Sequence, residues 1–116
     1  MSEQPEIRVR REGGAGVIEA EGYLNNIRGK QVAAACYNLL AEGVGDLVLN
    51  LALCSMVNSI GVSFLIEAIE EVDAQEGRVV FCCVAPMIER TLQIMGLLQT
   101  VTLYDTEAEA LQALAG

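Results

Sequence analysis

The sequence predicts an α/β fold, a mixed and mostly parallel sheet of about five strands with about four helices, and three observations point to it. Strand-like and helix-like stretches alternate along the chain in the order β-β-α-β-α-β-α-β-α, a pattern that builds parallel sheets through right-handed crossovers. The run Leu47-Val48-Leu49-Asn50-Leu51 is too continuously apolar for a strand with one wet face, so it reads as a strand covered on both sides. Past Asn58 the period changes. Val62, Leu65, Ile66, Ile69 and Val72 recur at helical spacing, while Glu67, Glu70, Glu71 and Asp73 take the opposite side, which describes a helix packed on a sheet.

The remaining elements follow in order. Ile7 and Val9 alternate with Arg8 and Arg10, Gly13-Gly14-Ala15-Gly16 supplies a turn, and residues 17–21 return, giving an antiparallel hairpin at one edge. Asn25 or Asn26 can cap a first helix that buries Val32, Cys36, Leu39 and Leu40 and ends at Gly43. Asn58 or Ser59 can cap the second, which stops near Gly77. Residues 79–84 read as another buried strand. Pro86 suits a first helical position, Met87, Ile88, Leu92, Ile94 and Met95 supply the apolar residues of a short third helix, and Gly96 closes it. Residues 101–104 form a last strand. Thr106 and Glu109 then make a capping box for a terminal helix carrying Ala110, Leu111 and Leu114.

Composition excludes several classes. A chain of 116 residues is expected to form one domain, residues 1–116, around a single core. No stretch approaches the roughly 18 uninterrupted apolar residues of a membrane span. Residues 1–14 lack a signal-peptide core, so a cytoplasmic protein with no membrane insertion is expected. Sixteen acidic residues against seven basic ones give a net charge of −9, which opposes binding to nucleic acid. The four cysteines, Cys36, Cys54, Cys82 and Cys83, lack metal-ligand spacing and there is no histidine, so neither a metal site nor a cofactor is implied. Cys82 and Cys83 are adjacent in a strand-like run, which places their side chains on opposite faces.

Three ordered landmarks carry a family resemblance. The first is Leu47-Val48-Leu49-Asn50-Leu51 followed by Met56-Val57-Asn58-Ser59-Ile60-Gly61-Val62; the second is Gly22-Tyr23-Leu24-Asn25; the third is Pro86-Met87-Ile88-Glu89-Arg90 with Met95-Gly96-Leu97. Together they resemble the STAS domains of bacterial anti-sigma factor antagonists, in which an Asp-Ser-Ser/Thr-Gly motif follows a buried strand. The resemblance implies a STAS-like fold, transcription regulation through protein–protein contact, and phosphorylation of the motif's first serine, which falls on Ser59. It implies a partner that is an anti-sigma factor or serine kinase protein. The partner-binding residues it points to are Asn25, Asn58, Ser59, Ile60, Gly61, Val62 and Ser63. This sequence departs from the pattern at three places: Asn25 and Asn58 stand where the family usually has aspartate, and Ile60 replaces the second hydroxyl.

Ser59 would open a helix, where unpaired N–H groups and the positive dipole end suit a phosphate. Asn58 puts no like charge beside it. An enzyme is disfavoured, because histidine is absent, Lys30 is the sole lysine, and Ser59 lacks the Gly-x-Ser-x-Gly of a hydrolase elbow. A carboxylate pair from Glu19 or Glu21 with Glu67 is the residual catalytic alternative. The binding alternative is a STAS scaffold without a phosphoswitch, in a stress-sensing or lipid-transport assembly. Met56 and Val57, apolar and near the junction, would serve a homodimer as readily as a heterologous complex.

Overall fold

The computed structural model describes residues 6–116, so the first five residues of the polar N-terminal stretch lie outside it. A five-stranded sheet in the order β1-β2-β4-β6-β7 is built from β1 (Ile7–Glu12), β2 (Ala15–Ala20), β4 (Asp46–Asn50), β6 (Arg78–Cys82) and β7 (Thr102–Tyr104). β1 and β2 pair antiparallel, from Ile7 opposite Ala20 to Glu12 opposite Ala15, and the other pairings are parallel. Gly13, at a φ of 60°, opens the two-residue turn between β1 and β2, a conformation that a Cβ would strain.

Four helices cover this sheet: α1 (Asn26–Ala41), α2 (Ser59–Ala74), α3 (Pro86–Ile94) and α4 (Glu107–Ala115). One face carries the larger core, where Ile18, Leu47, Leu49 and Phe81 meet Val32 and Leu39 of α1, Val62, Leu65 and Val72 of α2, and Ile88 and Leu92 of α3. The other face is covered by α4, whose Ala110 and Leu114 pack on Val17, Val48, Val80 and Cys82. Residues 47–51 are therefore buried throughout, as an apolar run without alternation demands. Polar ties fix α4 in place. Its Glu107 accepts from the Asn50 side-chain amide at 2.9 Å and pairs with Arg10, while Thr106 and Glu109 form the expected capping box.

The sequence pattern alone does not show a second, two-stranded sheet, in which β3 (Gly22–Leu24) pairs parallel with β5 (Cys54–Val57). β2 and β4 are neighbours in the main sheet; each breaks, and their continuations pair again. Gly22, at a φ of 77°, makes one break. At the other, the Asn50 side chain accepts from the Ala52 N–H at 2.9 Å and Cys54 N–H donates to Leu51 at 3.1 Å. Gly22 N–H then donates to the Leu53 carbonyl at 2.9 Å, starting the new ladder.

Three local expectations change. Met87 and Ile94 of α3 are exposed rather than in the core, because the buried stripe runs Ile88, Leu92 and Met95, at i, i+4 and i+7, and they fall beside it. Cys82 and Cys83 pack on the same apolar cluster rather than on opposite faces. The strand ends at Cys82, and Cys83 turns to a φ of 61°, which cancels the alternation of an extended chain. Glu21 and Glu19 are engaged elsewhere than with Glu67, since Glu21 pairs with Arg8 and Glu19 lies 4.0 Å from Arg10.

Burial pushes the Cys36 thiol up to about 12 and raises that of Cys82 as well, so both stay protonated and shielded. Native protein treated with iodoacetamide at pH 8 should be alkylated first at half-buried Cys83, with Cys36 and Cys82 modified only as fast as the chain unfolds; peptide mass mapping over time checks this.

Candidate functional site

The candidate site lies where α1 and α2 begin, at the end of the β3–β5 ladder. Each of these strands delivers an asparagine to a helix start. Asn25 caps α1, its side-chain oxygen accepting from the N–H groups of Ile27 at 3.1 Å and Arg28 at 3.0 Å. Asn58 caps α2, accepting from Gly61 N–H at 2.8 Å, while its backbone carbonyl accepts from Val62 N–H at 3.0 Å. Both asparagines are half-buried. A cap of this kind stabilises a helix by about 1 kcal/mol.

Asn58 thus takes the role that Asn58 and Ser59 could share on sequence grounds. Ser59 becomes the first helical residue, exposed to solvent, and among the described residues no hydrogen bond holds its hydroxyl. It stands ahead of the two amides that Asn58 satisfies, in the turn where helix N–H groups lack intrahelical acceptors. One turn on, the exposed Ser63 hydroxyl donates to the Ser59 carbonyl at 2.9 Å. Ile60 is exposed beside it.

Gly61 and Val62 sit differently from the docking role expected of them. Val62 is fully buried, turned into the core by the same period that places Leu65 there. Gly61 is buried against the preceding strand, where a Cβ would overlap the Leu24 carbonyl. A Cβ on Gly29 of α1 would in turn lie 2.9 Å from the Gly61 carbonyl oxygen. The two helices therefore meet backbone to backbone at their first turns, and Asn58 N–H donates to Leu24 at 3.2 Å to tie α2 to β3. The surface consists of Asn25, Asn58, Ser59, Ile60 and Ser63, with Gly61 and Val62 as its support.

Around these residues the surface is apolar and cationic. Tyr23 and Met56 are register partners in the small ladder and both are exposed, whereas Val57 leans half-buried on the core. Lys30 lies 5.8 Å from the Phe64 ring centroid, joining α1 to α2 by a cation–π contact. Sequence reasoning missed Tyr23, Ile27 and Lys30, because only the β3–β5 pairing brings their segment alongside the segment that leads to Ser59.

A family model described as the STAS domain matches residues 6–110. The chain belongs to the STAS domain family. Its fold is that of an anti-sigma factor antagonist from Mycobacterium paratuberculosis, which is 22% identical with a TM-score of 0.85 over 97% of this chain and 96% of that one. The Bacillus cell fate determinant SpoIIAA in its phosphorylated form superposes with a TM-score of 0.72 at 22% identity, covering 92% of this chain and 97% of that one. A variant of Moorella thermoacetica RsbS gives a TM-score of 0.81 at 19% identity over 94% of each chain. In this STAS domain no helix among the described residues is long and apolar enough to cross a membrane.

The contrast between support and surface can be measured. Gly61→Ala should lower stability by about 2–3 kcal/mol, since a side chain there forces α2 off the Leu24 carbonyl. Ser59→Ala should stay within about 0.5 kcal/mol, being an exposed change that leaves the cap untouched. Urea unfolding of the two variants checks both numbers, and equal losses would place Ser59 inside the packing.

Proposed function

We propose that this STAS domain is an anti-sigma factor antagonist, a regulatory binding module whose partner is an anti-sigma factor or serine kinase and whose binding is ended by phosphorylation of Ser59. The observation that carries the reading is the division of labour at α2: Asn58 caps the helix, and the neighbouring serine hydroxyl is left exposed at its first position. A kinase can reach such a hydroxyl without unfolding anything.

The chemistry of the switch follows from that position. A phosphate on Ser59 carries about −1.5 to −2 charges at neutral pH and meets the positive end of α2, with no carboxylate at residue 58 to repel it. The fold tolerates it. A partner that fitted the neutral surface of Asn25, Asn58, Ile60 and Ser63 would have to desolvate a dianion at the centre of the contact, which raises its dissociation constant by orders of magnitude. The solved antagonist SpoIIAA is known in a phosphorylated form, which supports the same chemistry here.

A second reading, a STAS scaffold that binds without a phosphoswitch, is favoured by Asn25, Asn58 and Ile60 in place of the family's charged and hydroxyl residues. One experiment separates them. Incubation with a cognate anti-sigma serine kinase and ATP should add one phosphate by intact mass to the wild type and none to Ser59→Ala, and calorimetry should show Ser59→Asp binding that kinase at least tenfold more weakly, about 1.4 kcal/mol. Binding by wild type and Ser59→Asp alike, without phosphate transfer, hands the surface to the scaffold.

A further inference from the structure

All four helices begin at the same end of the sheet, because each follows the C-terminal end of a parallel strand or its continuation. Their first turns are not alike. α3 opens with Glu89, and α4 with Glu107 and Glu109, whereas α1 and α2 open with no acidic residue. A carboxylate at a helix start stabilises it by about 0.3–1 kcal/mol, so α1 and α2 forgo what α3 and α4 take.

The omission extends well past the first turns. None of the sixteen acidic residues of the chain falls in residues 22–41 or in residues 47–66. The formal charges within those two stretches are Arg28 and Lys30, both positive. The stretches run far apart in sequence and come together through the β3–β5 ladder and the Gly29–Gly61 contact. A protein of net charge −9 thus has, at the starts of α1 and α2, one region of opposite sign, while the starts of α3 and α4 at the same end remain acidic.

That region is also apolar. Ile27 and Ile60 occupy the second positions of α1 and α2 and are 60% and 56% exposed, and the ladder partners Tyr23 and Met56 are 42% and 55% exposed. Exposed apolar side chains gathered beside backbone donors mark contact surfaces.

We propose that the protein docking at this end presents an apolar patch bordered by carboxylates, and that Asn25 and Asn58 tune the surface toward such a partner and away from one bordered by lysine or arginine. The proposal rests on reading this end as a protein-docking surface, and it does not require modification of Ser59. A bordering carboxylate finds Lys30 and two positive dipole ends; a bordering cation finds no carboxylate within residues 22–41 and 47–66 and loses its water. Glu21, which precedes Gly22, is paired with Arg8. Along α2 the first carboxylate is Glu67, eight residues past Ser59 and about 12 Å along the axis, beyond the Debye length of about 8 Å at physiological salt.

Two synthetic 16-residue helical peptides with one identical Leu/Ile stripe, their polar positions filled by Glu in one and Lys in the other, provide the probes. In a ¹⁵N NMR titration of the unmodified protein at physiological salt, the Glu peptide should shift the amides of residues 23–30 and 56–63. The Lys peptide should instead shift the outer face of α2 around Glu67, Glu70 and Glu71. The double variant Asn25→Asp, Asn58→Asp, which keeps both caps, should weaken the Glu peptide at least fivefold. The inference is overturned if the Lys peptide takes residues 23–30 and 56–63 as well as or better than the Glu peptide. It is overturned equally if neither peptide shifts those amides, or if they shift with protein concentration alone, which would make a second copy the occupant. Absence of phosphate transfer to Ser59 would remove the phosphoswitch and leave this outcome standing, so the two failures are told apart.

Discussion

The site depends on one contact, the entry of α2 beneath the carbonyl of Leu24. There is no room for a side chain at Gly61, and little at Gly29, so the first turns of two helices are held backbone against backbone. That closeness aligns Asn25 with Asn58 and places Ser59 at a surface made from two distant segments. Burial of methylenes elsewhere in the core sets how stable the molecule is; this contact sets where the exposed groups stand relative to one another. A methyl group there would act on the surface through geometry, without changing its chemistry.

The β3–β5 ladder reaches the same end by a different route. After Ala20 and Asn50 the two central strands leave the main sheet, and the N–H and C=O groups freed by that departure need partners. They find them in each other's continuations, with the Asn50 side chain filling the break between. Asn50 serves both faces of the structure, because its amide also reaches Glu107 on α4. One buried polar residue therefore connects the helix on the far face to the loop that leads to Ser59. The general cost of burying an amide is offset here by satisfied partners at both of its ends.

The helices and their caps were legible in the sequence because their determinants are local. The 3.6-residue period of Val62, Leu65 and Val72, the capping box from Thr106 to Glu109 and Pro86 at a helix start each need a few neighbouring residues and no distant partner. The small ladder was not legible, since strands of three and four residues carry little period, and their pairing is decided by where β2 and β4 bend. The same limit applies to the site. Ser59, Asn58 and Asn25 could be named from motif spacing, but which of Asn58 and Ser59 caps the helix depended on backbone geometry. Val62 could be assigned to both the core and the surface until burial decided between them. The approach of Lys30 to Phe64 depends on a helix crossing that no single stretch of sequence encodes.

Charge ties the surface to the proposed switch. An antagonist with aspartate at both caps would present negative charge to its partner before any modification, and a phosphate would add to an existing field. Here the two caps are neutral and the surrounding charge is that of Arg28 and Lys30. A phosphate of about −1.5 to −2 on Ser59 would therefore nearly cancel the local charge rather than deepen it. If the partner's border is acidic, that cancellation removes the attraction that favours docking, while the phosphate itself stands against the partner's carboxylates. Both effects oppose binding. For the folded chain the sign is the reverse, because the same phosphate supplies the negative charge that the first turn of α2 lacks. Modification would then stabilise the free protein and destabilise its complex through the same atoms, which is the combination a reversible switch requires.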